Sequence, residues 1–351
     1  MILRNHAVDR VIVRALGARL MFRCCVLWAR VVFESSVRIY DMNVRQEVTP
    51  CCIKGIIRLK SLPRTKVVML INWYPGHMHK ARKKVQEILP TIDIVIEVID
   101  ARLPYSSTNP MIEKLRGQKP YLKVLSKSDL ADPEVTQLWL DHIREQNNTD
   151  ALAITTEKKV IARTIPNRIL KMFPDRDLLK RPIKALIMGI PNVGKSTLIN
   201  TLANKKIASV GNEPAITKAQ QQIHIGNGIA LIDTPGMTWP KSKNEIINYR
   251  LATSGAIRDT ALEYDDVAMF AMEFMLERYP EYVAKGYQIQ NLADTPLEAL
   301  EQIAKRRGCM QRGGADYLRV GELFVRELRA GKLGLITLER PGPDCDQEKE
   351  S

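Results

Sequence analysis

The feature that most constrains this chain is the run Gly189-Ile190-Pro191-Asn192-Val193-Gly194-Lys195-Ser196-Thr197, which fits G-x-x-x-x-G-K-[ST]. It follows an apolar stretch, Ile183 to Gly189, and opens a helix-compatible one, Thr197 to Ala203. That strand and helix context is the one in which the pattern cradles phosphates. Glycines let backbone N–H groups wrap the phosphates, and the helix N-terminus favours the anion. Lys195 reaches the β- and γ-phosphates, and the Ser196 hydroxyl ligates Mg²⁺. Val193, Gly194 and Thr197 complete the loop around the nucleotide. A strand feeding such a loop calls for a parallel α/β sheet with the loop at its carboxyl edge.

The rest of the chain supplies that sheet. From Pro75 onward helical and strand patterns alternate with short connections. Ile92 to Ile99, Tyr121 to Leu125 and Ala151 to Thr155 read as strands. Gly76 to Leu89 and Pro133 to Gln146 read as helices, as does Val160 to Phe173 with Val160, Ile161, Ile165, Ile169 and Leu170 on its apolar side. Gly226-Asn227-Gly228 is a hairpin turn between Ile223 to Ile225 and Ile229 to Ile232. After about Asn244 the pattern turns helical, near 245–257, 265–279, 296–307 and 319–330, with one short β-rich stretch from Leu333 to Leu338. The expected organisation is an extension over 1–68, an α/β nucleotide-binding domain over 69–240, a small all-helical domain over 241–340, and a disordered acidic tail over 341–351.

Charge and cysteine separate the first segment from the rest. Residues 1–68 hold 13 Lys and Arg against 4 Asp and Glu, whereas residues 69–351 hold 40 against 35. Cys24, Cys25, Cys51 and Cys52 fall in the first segment and only Cys309 and Cys345 beyond it, so the main body has neither a disulfide framework nor a cysteine metal cluster. The apolar stretch from Val11 to Phe33 is interrupted by Arg14, Arg19, Arg23 and Arg30, which excludes an ordinary membrane span. Two readings of 1–68 stand: an upstream start assignment, with the functional chain beginning at Met69, or an Arg-rich organelle transit peptide.

Three further motifs refine the nucleotide site. Asp233-Thr234-Pro235-Gly236 ends the strand after the hairpin; a carboxylate there holds Mg²⁺, usually through water, and the Gly236 N–H senses the γ-phosphate. Thr217, on the polar stretch Lys205 to Gln222, is a hydroxyl that completes the Mg²⁺ shell only while the γ-phosphate is present. Ser126-Lys127-Ser128-Asp129 follows the second strand. A carboxylate at Asp129 accepts two hydrogen bonds from guanine N1–H and its exocyclic amine, which adenine cannot offer, and the Lys127 stem covers the base plane. An ATPase is the reading that Asp129 disfavours.

Together these pieces resemble a GTPase with permuted motif order, the guanine motif (126–129) preceding the phosphate loop (189–197), Thr217 and Asp233 to Gly236. With Asn72-Trp73-Tyr74-Pro75-Gly76-His77-Met78 at the start, and Asp100-Ala101-Arg102-Leu103-Pro104-Tyr105-Ser106-Ser107 after the first strand, the chain resembles the circularly permuted GTPases of the ribosome biogenesis GTPase A family over about residues 69–340. The resemblance implies a P-loop GTPase fold with a parallel-rich sheet and a C-terminal helical domain that binds ribosomal RNA. It also implies GTP as substrate and a role in late maturation of the large ribosomal subunit, with its rRNA and ribosomal proteins as partners. Thr155 and Thr156 stand where the family's second base-contacting loop passes the guanine, and Asn192 is the residue type that similar GTPases use to hold K⁺. The chain departs from the family at Ser126, usually Asn, at Thr155-Thr156-Glu157-Lys158, usually Ser-Ala-Lys in wording, and at Ala215, commonly Gly. A bacterial cytoplasmic monomer without a membrane span is expected, or a mitochondrial matrix protein if 1–68 is a transit peptide.

Hydrolysis requires a water aligned on the γ-phosphate, which many GTPases orient with Gln after the Asp-x-x-Gly motif. Met237 occupies that place here and cannot orient water. The candidate substitute is His77, whose imidazole can hydrogen-bond the water if its segment folds over the nucleotide; binding RNA or capping a helix is the competing role. Turnover completed on the ribosomal particle then follows, and a nucleotide sensor with negligible hydrolysis is the alternative. Lys80, Arg82, Lys83 and Lys84, the nine Lys and Arg of 158–184 against two Asp, and Lys305, Arg306, Arg307 and Arg312 are candidate RNA phosphate contacts.

Overall fold

The computed structural model describes residues 83–155, 159–205, 222–234, 244–257, 259 and 262–342, all within the unit Val68–Ser351. His77, Lys80, Arg82, Thr156, Thr217, Gly236 and Met237, the segment 1–68 and the tail from 343 lie outside the described residues.

The first described half is built around a sheet of six strands: β1 (Ile94–Asp100), β2 (Tyr121–Ser126), β3 (Thr149–Ala153), β4 (Ile183–Gly189), β5 (Gln222–His224) and β6 (Ile229–Asp233), in spatial order β3-β2-β1-β4-β6-β5. All neighbours are parallel except β5, which pairs antiparallel with β6. β1 and β4 are central, and their near-continuous apolar runs reflect cover on both faces. Ile94, Ile96 and Val98 pack toward one face, with Ile187 of β4 and Leu231 of β6. Val95, Leu186 and Met188 face the other, with Val85 of the helical residues 83–88. Ile99 and Leu125 meet Val135, Trp139 and Ile143 of α3 (Pro133–Arg144). Before it stand two short helices, α1 (Pro104–Ser107) and α2 (Pro110–Arg116), each begun by a proline whose missing N–H is harmless in a first turn.

Two expectations need correction. The helix expected over 160–173 is two, α4 (Lys159–Ala162) and α5 (Ile165–Lys171), because Pro166 has no N–H to donate to Ala162 O and its ring crowds that carbonyl, whereas in the first turn of a new helix neither matters. Ile165 and Ile169 are buried as expected, but Val160 is 73% exposed and Ile161 38%. The β-rich stretch 333–338 joins no sheet. It runs as an extended strap whose bonds go to separate loops: Ile336 N donates to Leu130 O at 3.0 Å and Leu338 N to Arg102 O at 2.7 Å.

After α6 (Lys195–Ala203) and the hairpin, where Ile229 N donates to Gly226 O at 3.0 Å, the chain becomes helical. The helices are α7 (Glu245–Ser254), α8 (Tyr264–Arg278), α9 (Pro280–Tyr287), α10 (Pro296–Arg307) and α11 (Tyr317–Arg329). A small hairpin of β7 (Met310–Gln311) and β8 (Gly314–Ala315) joins α10 to α11. The apolar sides of α7, α8, α10 and α11 belong to the same hydrophobic cluster as one face of the sheet.

Candidate functional site

In a parallel sheet, ligands bind beyond the carboxyl ends of the strands, where the order of strands reverses. Here successive connections run from β1 outward to β2 and β3, then return to β4 and run the other way to β6, so the crevice lies between β1 and β4. The motifs that the sequence separates by over a hundred residues come together there.

β4 delivers the phosphate loop. Gly189 lies so close to β1 that a Cβ would sit 2.6 Å from Val98 O, a spacing only glycine permits. Gly194 adopts φ +90 and Asn192 φ +59, turning the loop into the first turn of α6, where Lys195, Ser196 and Thr197 stand. The Lys195 ammonium is buried against the carboxylate of Asp233 at the end of β6. The next residue is tied down as well, Thr234 Oγ1 donating to Ile187 O at 2.9 Å. Lys195 therefore has a buried counter-charge in this structure, and a phosphate entering the loop competes with Asp233 for it.

The guanine-type loop leaves the adjacent strand β2 and packs onto the phosphate loop. Ser126 Oγ lies 2.9 Å from Ile99 O and 2.5 Å from Val193 O, so the serine at the family's usual Asn position still ties the two loops together. Lys127 sits in the left-handed region at φ +55, uncommon for a long side chain, and its ammonium reaches Asp100 Oδ2 at 2.9 Å. Ser128 N donates to Ile154 O at 3.1 Å, which brings the end of the β3 segment and Thr155 beside the loop. Asp129 Oδ1 is buried and meets no hydrogen-bond donor among the described residues.

Several residues that brace the loop or the neighbouring α1 carry no signal in sequence. Thr337 Oγ1 accepts from Asp132 N at 3.0 Å, and the buried Glu339 accepts from Ser106 N at 2.9 Å and Ser106 Oγ at 2.6 Å. Burial pushes the Glu339 carboxyl up, against the lowering influence of Arg250 and Ser106. On the phosphate side, Asn192 Nδ2 donates to Gly255 O at 3.1 Å. No regular spacing links 126–132 to 336–339, or Asn192 to Gly255.

The basic clusters divide. Lys83 and Lys84 are exposed on the helical turn that buries Val85. Within 158–184, Arg168 pairs with Asp150 at 2.8 Å and Arg176 with Asp93 at 2.8 Å, while Arg163, Lys171 and Lys184 are exposed. Arg307 pairs with Glu327 at 3.1 Å, and Lys305 and Arg312 are exposed near the β7–β8 hairpin.

A switch-point crevice holding G-x-x-x-x-G-K-S on β4, a strand-end aspartate on β6 and a guanine-type carboxylate on β2 defines a P-loop GTPase in circularly permuted order. The model of the 50S ribosome-binding GTPase family matches residues 184–302. Ribosome biogenesis GTPase A of Priestia megaterium is 46% identical over 284 residues, 78% of this chain and 98% of that protein; that of Bacillus cereus is 45% identical over 281 residues, 78% and 95%. The GNP-bound crystal structure of YlqF from T. maritima matches with a TM-score of 0.53 and 27% identity, over 75% of this chain and 98% of that one. The chain belongs to the ribosome biogenesis GTPase A family and is a GTPase.

Proposed function

We propose that this protein binds and hydrolyses GTP to assist late assembly of the large ribosomal subunit, with turnover completed on the particle. The observation that carries the reading is the meeting, at one sheet edge, of a phosphate-loop lysine paired with the strand-end Asp233 and the adjoining loop of Ser126 to Asp129, tied to the phosphate loop at Val193. The substrate is GTP, bound by Asn192 to Thr197 at its phosphates and by Ser126 to Asp129, Thr155 and Thr156 at its base, with Gly236 sensing the γ-phosphate. Ser196, Thr217 and Asp233 are oxygen donors of the kind Mg²⁺ takes, and the ion would neutralise charge on the phosphates. Asn192 Oδ1, with its amide turned by Gly255, suits K⁺.

Within the site, Lys195 exchanges Asp233 for the β/γ-phosphates and stabilises the charge that develops on them. Met237 leaves the water without a polar partner, and His77 is the group assigned to it. Lys80, Arg82, Lys83 and Lys84, with the basic residues of α10 and the β7–β8 hairpin, contact rRNA phosphates. The precursor subunit, its rRNA and its ribosomal proteins are the partners. The protein works as a cytoplasmic monomer if residues 1–68 are not a transit peptide; among the described residues, no helix is long and apolar enough to cross a membrane.

GTP hydrolysis measured with and without purified large subunits, in K⁺ and in Na⁺ buffer, tests this. Stimulation by the subunit and a K⁺ requirement are expected. Tight GTP binding without turnover in any condition would replace the reading with a nucleotide sensor, and His77→Ala with unchanged stimulated turnover would remove the histidine from it.

A further inference from the structure

Asp100 ends β1 at the carboxyl edge of the sheet, and Ala101 and Arg102 follow it. Asp100 is buried at the meeting point of two cations. Its Oδ1 accepts from Arg102 Nε at 2.9 Å and from Arg102 N at 3.0 Å. Its Oδ2 accepts from Arg102 Nη2 at 2.8 Å and from Lys127 Nζ at 2.9 Å. Burial would push the Asp100 carboxyl up, but the Arg102 and Lys127 charges outweigh it and hold it well below the usual carboxylate range.

Arg102 also reaches away from the sheet. Its Nη2 donates to Ser254 O at 3.0 Å and its Nη1 to Arg329 O at 3.4 Å, the ends of α7 and α11. Arg329 in turn donates to Thr253 O at 3.1 Å and Ala252 O at 2.7 Å, and Asn192 to Gly255 O at 3.1 Å. Four successive carbonyls at the end of α7 thus meet side-chain donors. The negative end of a helix favours such cationic partners. The α7 terminus is tied to the phosphate loop through Asn192, and to the guanine loop through Arg102, Asp100 and Lys127.

We propose that Asp100 and Arg102 are positioning residues that couple the placement of Lys127 over the guanine to the ends of α7 and α11, so that engagement of the helical region tunes guanine-nucleotide affinity. The inference rests on the reading of Lys127 as the base-covering side chain. The two-pronged Arg102 contact fixes the plane of the Asp100 carboxylate. With that plane fixed, Oδ2 stays aimed at Lys127, whose backbone sits in the left-handed region at φ +55. A shift of α7 or α11 against β1 pulls on Arg102, turns the carboxylate and releases the ammonium.

The test is a double-mutant cycle, which isolates coupling from general damage. The affinity of a fluorescent GDP analogue is measured for the full chain, Arg102→Gln, Lys127→Ala and the double variant. Each single change is expected to weaken binding about tenfold, and the double variant to bind within twofold of Lys127→Ala alone. If Arg102→Gln weakens binding by its full factor in the Lys127→Ala background, the inference fails while the base-covering reading survives. If Lys127→Ala leaves affinity unchanged, the base-covering reading fails and takes the inference with it. Should Arg102→Gln not fold, amide hydrogen exchange on the unaltered chain decides. GDP is expected to slow exchange at Ala330 and Gly331, whose N–H groups close α11, and unchanged exchange there with GDP bound overturns the proposal.

Discussion

The phosphate loop and the guanine loop lie side by side on the same sheet edge, but their conformations depend on distant segments to different degrees. The phosphate loop takes its turn from its own residues, Gly189 fitting it against β1, Gly194 turning it and Lys195 to Thr197 beginning the helix that follows, and distant partners add to this only through the side chains of Asn192 and Lys195 and the Val193 carbonyl. The guanine loop is held from afar, by Val193, Ile154, Ile336 and Thr337. A loop built from consecutive residues depends on local conformational rules, whereas one braced by distant segments is as secure as the packing that brings those segments together.

Single substitutions should break the two loops differently. Lys195→Ala removes a charge-assisted contact to phosphate and should lower GDP affinity on the order of 100-fold with the fold intact, as measured by calorimetric titration; a loss below threefold would contradict the phosphate role. Asp129→Ala should leave phosphate binding in place but cut the preference for GDP over ADP by about tenfold or more, and an unchanged ratio of the two affinities would end the base-reading assignment. Thr337→Val removes only the acceptor for Asp132 N, 205 positions away in sequence. It should reduce stability by about 1–2 kcal/mol in urea unfolding and speed GDP release, although it touches no nucleotide motif.

Smaller effects sharpen the same contrast. Ser126→Ala, which unties the two loops at Val193 O, should cost about 1 kcal/mol and lower the melting temperature by a few degrees. The gentlest probe is pH. Asp100 is held ionised below its ordinary value near 3.9, so the stability it contributes is complete above that value and drains away as pH falls through and below it. Melting temperatures between pH 6 and 3 should drop more steeply for the unaltered chain than for Asp100→Asn, and parallel curves would show that Asp100 carries no such linkage.

Legibility followed the same division. The strands of the nucleotide region could be read because a sheet covered on both faces leaves apolar runs such as Ile94 to Ile99, and the hairpin because Gly226-Asn227-Gly228 has few other uses. The split between α4 and α5 is not legible because the apolar spacing of 160–170 continues across Pro166. The short helices α1, α2 and α9 are not legible because each has a single turn or two and too few residues to establish a period. Leu333 to Leu338 reads as a strand because its residues are mostly apolar, and the pattern cannot say whether the partners form a ladder or scattered loop carbonyls.

The sequence by itself determined the phosphate loop, the order of the motifs and the class of chemistry, since each depends on residue types at short spacing whose geometry is set by local backbone rules. Only the tertiary structure decided that Asp100 would serve both Arg102 and Lys127, that Glu339 would reach Ser106, and that the end of α7 would meet the phosphate loop at Asn192. Apart from the local Asp100–Arg102 pair, those contacts join residues 27 to 233 positions apart, and such pairs are selected by the packing of the whole core rather than by any pattern along the chain.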